Sequence, residues 1–309
     1  MNLDSIQKNL LKTVADIDKV PEGAYNVRLN GKLAGRNVTA NIDIVTKQDK
    51  PGIDIIIKPN TKGERVDIPV MLEATGLTDL VYNDFYVGEN ADVVIVAGCG
   101  IHNTGNDLAR HDGIHTFHVG KNARVKYLEK HYGEGEGDGN GENVLNPTTV
   151  VEIDEGGYME METAQIKGVD STVRKTSAVL GKDAKLIIRE SILTHGKQTA
   201  VTDFYADLKG ENSGAHIVSR AVAKDKSHQK YISLIDGNNK CSGHTECDAI
   251  IMDDGTVAAE PKLNANNIEA SLIHEAAIGK IAGEQLIKLM TLGLTEKQAE
   301  EEIVSGFLK

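Results

Sequence analysis

Aromatic mass is almost missing from this sequence: no Trp, 4 Phe and 8 Tyr in 309 residues. That argues against a globule centred on large rings, and against the aromatic platforms on which sugar-binding proteins stack their ligands. Basic charge is short as well, 34 Lys and Arg against 46 Asp and Glu, for a formal net charge of -12. Nucleic acid is excluded as a partner, because its affinity rests on cationic contacts to phosphate. Only three cysteines occur, an odd number without disulfide-like spacing, which points to a reducing compartment. No apolar run approaches the ~20 residues that span a bilayer, and the stretch MNLDSIQKNLLKTVADIDKV lacks the uninterrupted apolar core of a signal peptide. The expectation is a soluble cytoplasmic protein with no membrane contact. A G-x4-G-K-[ST] loop is also absent, so any ATP hydrolysis in which the chain takes part comes from a partner.

Glycine, in contrast, is plentiful at 31 residues against 6 Pro. Many short turns joined by aliphatic strands are expected, in one elongated domain or two compact ones. Leu3, Ile6, Leu10, Val14 and Ile17 fall at helical spacing, with Asp4 or Ser5 as the cap, and that helix ends before Pro21. From Tyr25 to about Ile68 apolar residues alternate, as strands require. From Leu77 a motif recurs: VGENADVVI (Val87 to Ile95), VGKNARVKY (Val119 to Tyr127), IDEGGYMEM (Ile153 to Met161) and LGKDAKLII (Leu180 to Ile188), with LKGENSGAHI and IDGNNKCSGH as looser copies. The first four start 32, 34 and 27 residues apart, the period of a solenoid. Each unit leaves an apolar face that only its neighbours can cover, so stacking into one core is the natural solution, with an antiparallel sandwich as the alternative. GEGEGDGNGEN, Gly133 to Asn143, reads as a solvated linker, with ion capture by Glu134, Glu136 and Asp138 as the other reading. After Glu275 the pattern turns helical: Ile281, Leu286, Leu289 and Met290 form a stripe, Gly293 stops it, and Thr295 with Gln298 forms a capping box for a second helix. That hairpin either caps the open end of the solenoid or docks a partner.

Chemistry-bearing side chains concentrate between Lys240 and Lys280. Cys241, His244 and Cys247 are followed about one repeat later by His274 and Glu275. Thiolate, imidazole and carboxylate are the ligands of iron and zinc, and Cys-x2-His-x2-Cys without a second pair is too short for a closed zinc finger. An extended strand would put Cys241 and Cys247 on one face. A second set runs from Cys99 to Gly120, where His102, His111, His115 and His118 occupy 17 residues. Cys99 and His102 are candidate metal ligands there, and a Cys-His nucleophile using His102 or His111 is the other reading.

The C-terminal stretch resembles a known family. CDAIIMDD, EPKLNANNIEASLIHEAAIGKIAGEQLIKLMTLGLTEKQAEEEIVSGFL is similar to the end of the SufB/SufD iron-sulfur cluster assembly proteins: Cys-Asp before an aliphatic strand, a His-Glu-Ala run, a Gln-Leu helix and an Ile-Val-x-Gly-Phe ending. The resemblance implies a mainly β protein, a right-handed parallel β-helix with helical ends. It implies a scaffold, not an enzyme, that binds a transient iron-sulfur cluster and works as a homodimer with a SufC-like ABC ATPase, a sulfur donor and apo-protein acceptors. Mapped onto this chain it gives an N-terminal helix and strands over 1–76, a β-helix core over 77–277 and a helical region over 278–309. It carries over His274 and Glu275, with Cys247 as a matched position, and the residues themselves add Cys241 and His244; these five are the expected cluster ligands, completed across a two-fold axis, with Leu286, Leu289 and Leu294 as the ATPase contacts. Two features depart from the larger members. Asp254-Gly255-Thr256-Val257-Ala258 stands where they carry Cys-Gly-Ala-His-Thr, and Ile273 replaces the first Glu of Glu-His-Glu-Ala. A carbohydrate-active or metal-dependent enzyme on a β-solenoid is the rival from a different class.

Overall fold

The computed structural model describes residues 3–19, 21–134 and 142–309. It is a parallel β-solenoid of about 8 turns with one helix before it and two after it. Helix α1 spans Ser5–Ala15. The first strands are β1 (Ala24–Leu29), β2 (Lys32–Asn37), β3 (Ile42–Thr46), β4 (Gly52–Ile57), β5 (Lys62–Asp67), β6 (Val70–Leu72), β7 (Thr78–Val87) and β8 (Asp92–His102). There follow β9 (Ala109–Val119), β10 (Arg124–Glu134), β11 (Asn143–Leu145), β12 (Thr148–Ile153), β13 (Tyr158–Lys167), β14 (Ser171–Leu180), β15 (Lys185–Thr194) and β16 (Thr199–Leu208). The chain ends with β17 (Ser213–Ala223), β18 (His228–Gly237), β19 (Cys241–Ile251), β20 (Thr256–Ala265), β21 (Ala270–Gly279), α2 (Gly283–Thr291) and α3 (Glu296–Phe307).

The chain winds between two sheets. One runs β2-β1-β5-β8-β10-β13-β15-β17-β19-β21, the other β20-β18-β16-β14-β11-β9-β7-β4-β3. The repeating motif is the corner from the second sheet into the first, and its grammar has a backbone cause. Asn60, Asn90, Asn122, Gly156, Asp183 and Asn212 occupy one corner position on successive rungs, each with positive φ between 56° and 69°. Gly, Asn and Asp tolerate that conformation best. The amide at this position donates to the next rung's corner, as from Asn90 to Lys121 O at 2.9 Å and from Asn212 to Lys240 O at 2.7 Å. A turn residue chosen for its φ thereby also fixes the stacking of rungs, and Asp92, Arg124, Tyr158, Lys185, Gly214, Ser242 and Ser271 lie in register across the first sheet.

Alternate residues point into one continuous core. Its early turns hold the few rings: Phe85 and Phe117 stack at 4.3 Å, with Tyr127 edge-on to Phe117 at 4.9 Å. Each such side chain, removed from water, contributes roughly 1.5–3 kcal/mol. Helix α1 carries the capping box of Asp4 and Gln7 and buries Leu10, Leu11, Val14 and Ala15. It lies on the outer face of β8 and β10. That approach requires Gly98, because a Cβ there would stand 2.1 Å from the Val14 carbonyl oxygen.

At the C-terminus, α2 and α3 form as the stripe, Gly293 and the Thr295 capping box imply. The cap expected for the open end is a different matter. Helix α3 buries Ala299 and Val304 beside Val222 and Met252, and Ser191 Oγ donates to Leu308 O at 2.8 Å. Helix α3 thus lies on the outer face of β15 and β17. Ala259, Leu263, Ala270 and Leu272, which point inward from β20 and β21, stay half-buried at the end of the solenoid. In the Gly133 to Asn143 linker, Glu134 ends β10, while Glu136 and Asp138 lie outside the described residues.

Candidate functional site at the last rungs

Strand alternation divides the five expected cluster ligands between two faces. In β19, Cys241, Gly243, Thr245, Cys247 and Ala249 point into the core, whereas Ser242, His244, Glu246 and Asp248 point out. Cys241 and Cys247 do share a face, as an extended strand requires, and both are buried. The pairing of β19 with β17 and β21 runs without a bulge, so the strand is straight between them. At about 3.3 Å per residue they are roughly 20 Å apart, too far to ligate one cluster. His244 is on the opposite side from both thiols.

The neighbouring β21 divides in the same way. His274 is opposite Thr245 and points inward; Glu275 is opposite Glu246 and points outward. Two groups result. Cys247 and His274 share the inner face, one rung and two positions apart, and His274 Nδ1 is buried with no hydrogen-bond partner. Burial, reinforced by the charges of Glu190 and Asp248, pushes the Cys247 thiol up to about 12. Cys241 is also raised by burial. On the outer face His244, Glu246 and Glu275 present ligand atoms all within 4.8 Å of one another. Glu246 escaped the sequence reading; the signal that finds it is its even spacing from His244 along an alternating strand.

The second set is rearranged more deeply. His102 points outward and pairs with Glu134, away from the inward Cys99. The imidazoles beside Cys99 are those of His111 and His131, brought there by β9 and β10. His111 Nδ1 is 3.0 Å from Asp79 Oδ2, and Asp79 Oδ1 accepts from Arg28 at 2.8 Å. Burial alone would raise the Cys99 thiol, but the His111 and His131 rings bring it down to about 7. Burial likewise disfavours charge on His111, yet Cys99 and Asp79 raise it to about 10. The network continues inward: His115 Nδ1 lies 2.8 Å from Tyr127 OH, which donates to Glu129 at 2.9 Å. Arg174 pairs with Glu129 and approaches Glu190 at 3.3 Å, and Glu190 accepts from Thr202 and Ser219. The enclosed space between Cys99, His111, His115, Glu129 and His131 has room for about one water. His118 sits apart on the outer face, stacked on Tyr86.

Leu286, Leu289 and Leu294 are half-buried, and α2 rests against α3. The apolar groups that hairpin offers to solvent are Ile287 at 62 %, Met290 at 42 % and Leu292 at 76 % exposure.

Residues 80–307 match the family described as SUF system FeS cluster assembly, SufBD core domain. The chain belongs to this family. The matched span takes in both groups of the last rungs, the Cys99 network apart from Asp79 and Arg28, and the helical hairpin, which confirms the resemblance drawn from the C-terminal residues. Among curated relatives, an iron-sulfur cluster assembly SufBD family protein of Methanothermobacter thermautotrophicus is 32 % identical over 236 residues, 74 % of this chain and 54 % of its own length. One from Archaeoglobus fulgidus is 30 % identical over 251 residues, 80 % of this chain and 66 % of its own. One from Pyrococcus horikoshii is 26 % identical over 285 residues, 90 % and 84 %. The chain spans about half the length of the first of these SufBD relatives. None of its described helices is long and apolar enough to cross a membrane.

Proposed function

We propose that this chain is a non-enzymatic scaffold of a SUF-type machine, on which an iron-sulfur cluster is built at the last rungs and then released. The observation that carries the reading is the inner pair Cys247 and His274. A buried thiol and an unpartnered imidazole share a face at the end of the solenoid, where the inward side chains of the last strands are only half covered. Soft sulfur matches iron, while nitrogen and oxygen ligands make a cluster more labile, as a carrier that gives its cluster away needs.

Two further features fit this role. Among the described residues, strands β20 and β21 each pair on one side only, and such edges favour a second copy of the chain. An isologous contact there would bring Cys247 and His274 of both copies together and complete a ligand set that one chain lacks. Of the three thiols, Cys99 alone is drawn toward the thiolate, the form that attacks sulfur; it is the group suited to take sulfane sulfur from a persulfide donor, whose own thiol leaves. A SufC-like ATPase would dock on Ile287, Met290 and Leu292 of the hairpin. This work requires a reducing compartment, consistent with a cytoplasmic setting and free cysteines. The test is anaerobic loading with ferrous iron and sulfide, followed by mixing with an apo-ferredoxin. Charge-transfer absorbance that moves to the acceptor supports the scaffold; no absorbance, or a cluster that never moves, refutes it.

A further inference from the structure

We infer that His244, Glu246 and Glu275 form a mononuclear site for a divalent transition cation on the outer face of the first sheet, separated from the thiols by the thickness of β19. Three observations converge on it. The ligand atoms of the three side chains lie within 4.8 Å of one another, which lets one ion touch all of them. Glu246 and Glu275 are direct partners across parallel strands, and like charges in that position repel. A sheet tolerates such a pair best when a cation sits between the carboxylates.

The third observation is the state of His244. Its Nε2 is shut off from solvent and has no hydrogen-bond partner, yet it is 3.4 Å from Glu275 Oε2. The ring is held by a parallel stack on His216, with centroids 4.8 Å apart and planes 5° from coplanar. It therefore stands fixed with Nε2 against the Glu275 carboxylate and with Glu246 in ligand reach. Asp248, which shares a hydrogen bond with the Glu246 carboxyl, and Arg220 are the other charged groups there; Arg220 donates to Phe307 O, so its guanidinium is engaged by the helical hairpin.

One imidazole and two carboxylates suit ferrous iron, manganese, cobalt or zinc, and three protein ligands leave positions open for water or for an incoming group. The site borders a groove lined by Tyr158, Lys185, His216, Ser271 and Ile273, so an ion can exchange from solvent. In the scaffold reading the ion is iron held next to the cluster position before sulfide meets it, and only this use of the ion rests on that reading.

Cobalt(II) alone, without sulfide, tests the binding. One ion per chain should bind, with weak d-d bands and no thiolate-to-cobalt charge transfer. E246Q and H244N should each weaken binding by roughly tenfold or more, the loss seen when a metal site's close neighbours are changed. C241S and C247S should leave it unchanged. All four variants are checked for native circular dichroism, and E246Q, isosteric on the outer face, guards against a mere folding defect. Binding that ignores E246Q and H244N overturns the site. Cluster loading can succeed while cobalt binding fails, or the reverse, so this test is distinct from that of the scaffold.

Discussion

Cys241 and Cys247 face the same core from the same straight strand and are still roughly 20 Å apart, so only one of them can belong to a given cluster. Cys247 has His274 beside it on the next rung. Cys241 has the backbone of Gly237, where an added Cβ would meet its Sγ at 3.2 Å, and Leu272 and Ala270 close by. It is a packing residue. C241S should leave iron and sulfide per chain unchanged after reconstitution; an equal loss in C241S and C247S would mean that the strand is not straight.

The Cys99 and His111 pair makes stability depend on pH, with signs that differ for the two groups. Cys99 has its folded pKa lowered, so its contribution is complete above the ordinary thiol value of 9.0 and is lost as pH falls through about 7. His111 has its folded pKa raised, so its contribution is complete below 6.5 and is lost as pH rises through about 10. The difference in melting temperature between the wild type and C99S should therefore be widest between about pH 7 and 10 and shrink on both sides. A difference that does not vary with pH would show that the charged pair does not form.

Arg174 is a buried cation between Glu129 and Glu190. Its replacement by Met removes that guanidinium from both carboxylates and leaves the His131 imidazole as the nearest cation to Glu129. The expected loss is about 3–5 kcal/mol, read from denaturant unfolding, because an uncompensated buried charge is far costlier than the pair. Replacing Arg174, Glu129 and Glu190 together by apolar residues should restore part of it. If R174M alone costs less than about 1 kcal/mol, water reaches this network.

Contact between α1 and the solenoid hangs on the missing side chain at Gly98. G98A should push the helix outward and destabilise the protein by about 1–3 kcal/mol, the usual range for overpacking. Faster proteolytic cleavage within Ser5–Ala15 would report the displacement. An unchanged cleavage rate would mean that the helix is loosely held already.

On the hairpin, exposure decides which residues can meet a partner. I287E or L292E should weaken co-purification of the proposed ATPase partner and leave the melting temperature alone. L289E, on the half-buried side, should lower the melting temperature first. The opposite pattern would put the docking surface elsewhere.

The sequence carries the architecture well because solenoid rungs are local. Asn, Asp and Gly recur where the corner needs positive φ, and alternation marks the walls, so Asn90, Asn122, Asp183 and Asn212 could be read as one motif before any coordinates. The helix cap at Thr295 was equally legible, since a capping box closes within three residues, while the first helix left Asp4 and Ser5 open and the structure selects Asp4 with Gln7. The site was harder, because its groups meet across rungs. Parity along β19 already separates His244 from the two cysteines, and counting residues already separates Cys241 from Cys247, yet clustering in sequence suggested one constellation. His131, Asp79 and Arg174 come to Cys99 from other turns, and no spacing within Cys99 to Gly120 announces them. His102, the nearest histidine in sequence, lands on the outer wall.

Anaerobic reconstitution of the wild type, C241S, C247S and H274A, with iron and acid-labile sulfide counted per chain, tests the account most directly. The wild type and C241S should take up the same amount, while C247S and H274A should lose most of it and keep a native circular dichroism spectrum. Raising the pH should speed loading of the wild type, since burial holds the Cys247 thiol up at about 12 and only the thiolate binds iron. A full cluster on the C247S and H274A variants would contradict the placement of the cluster on the inner face of the last rungs.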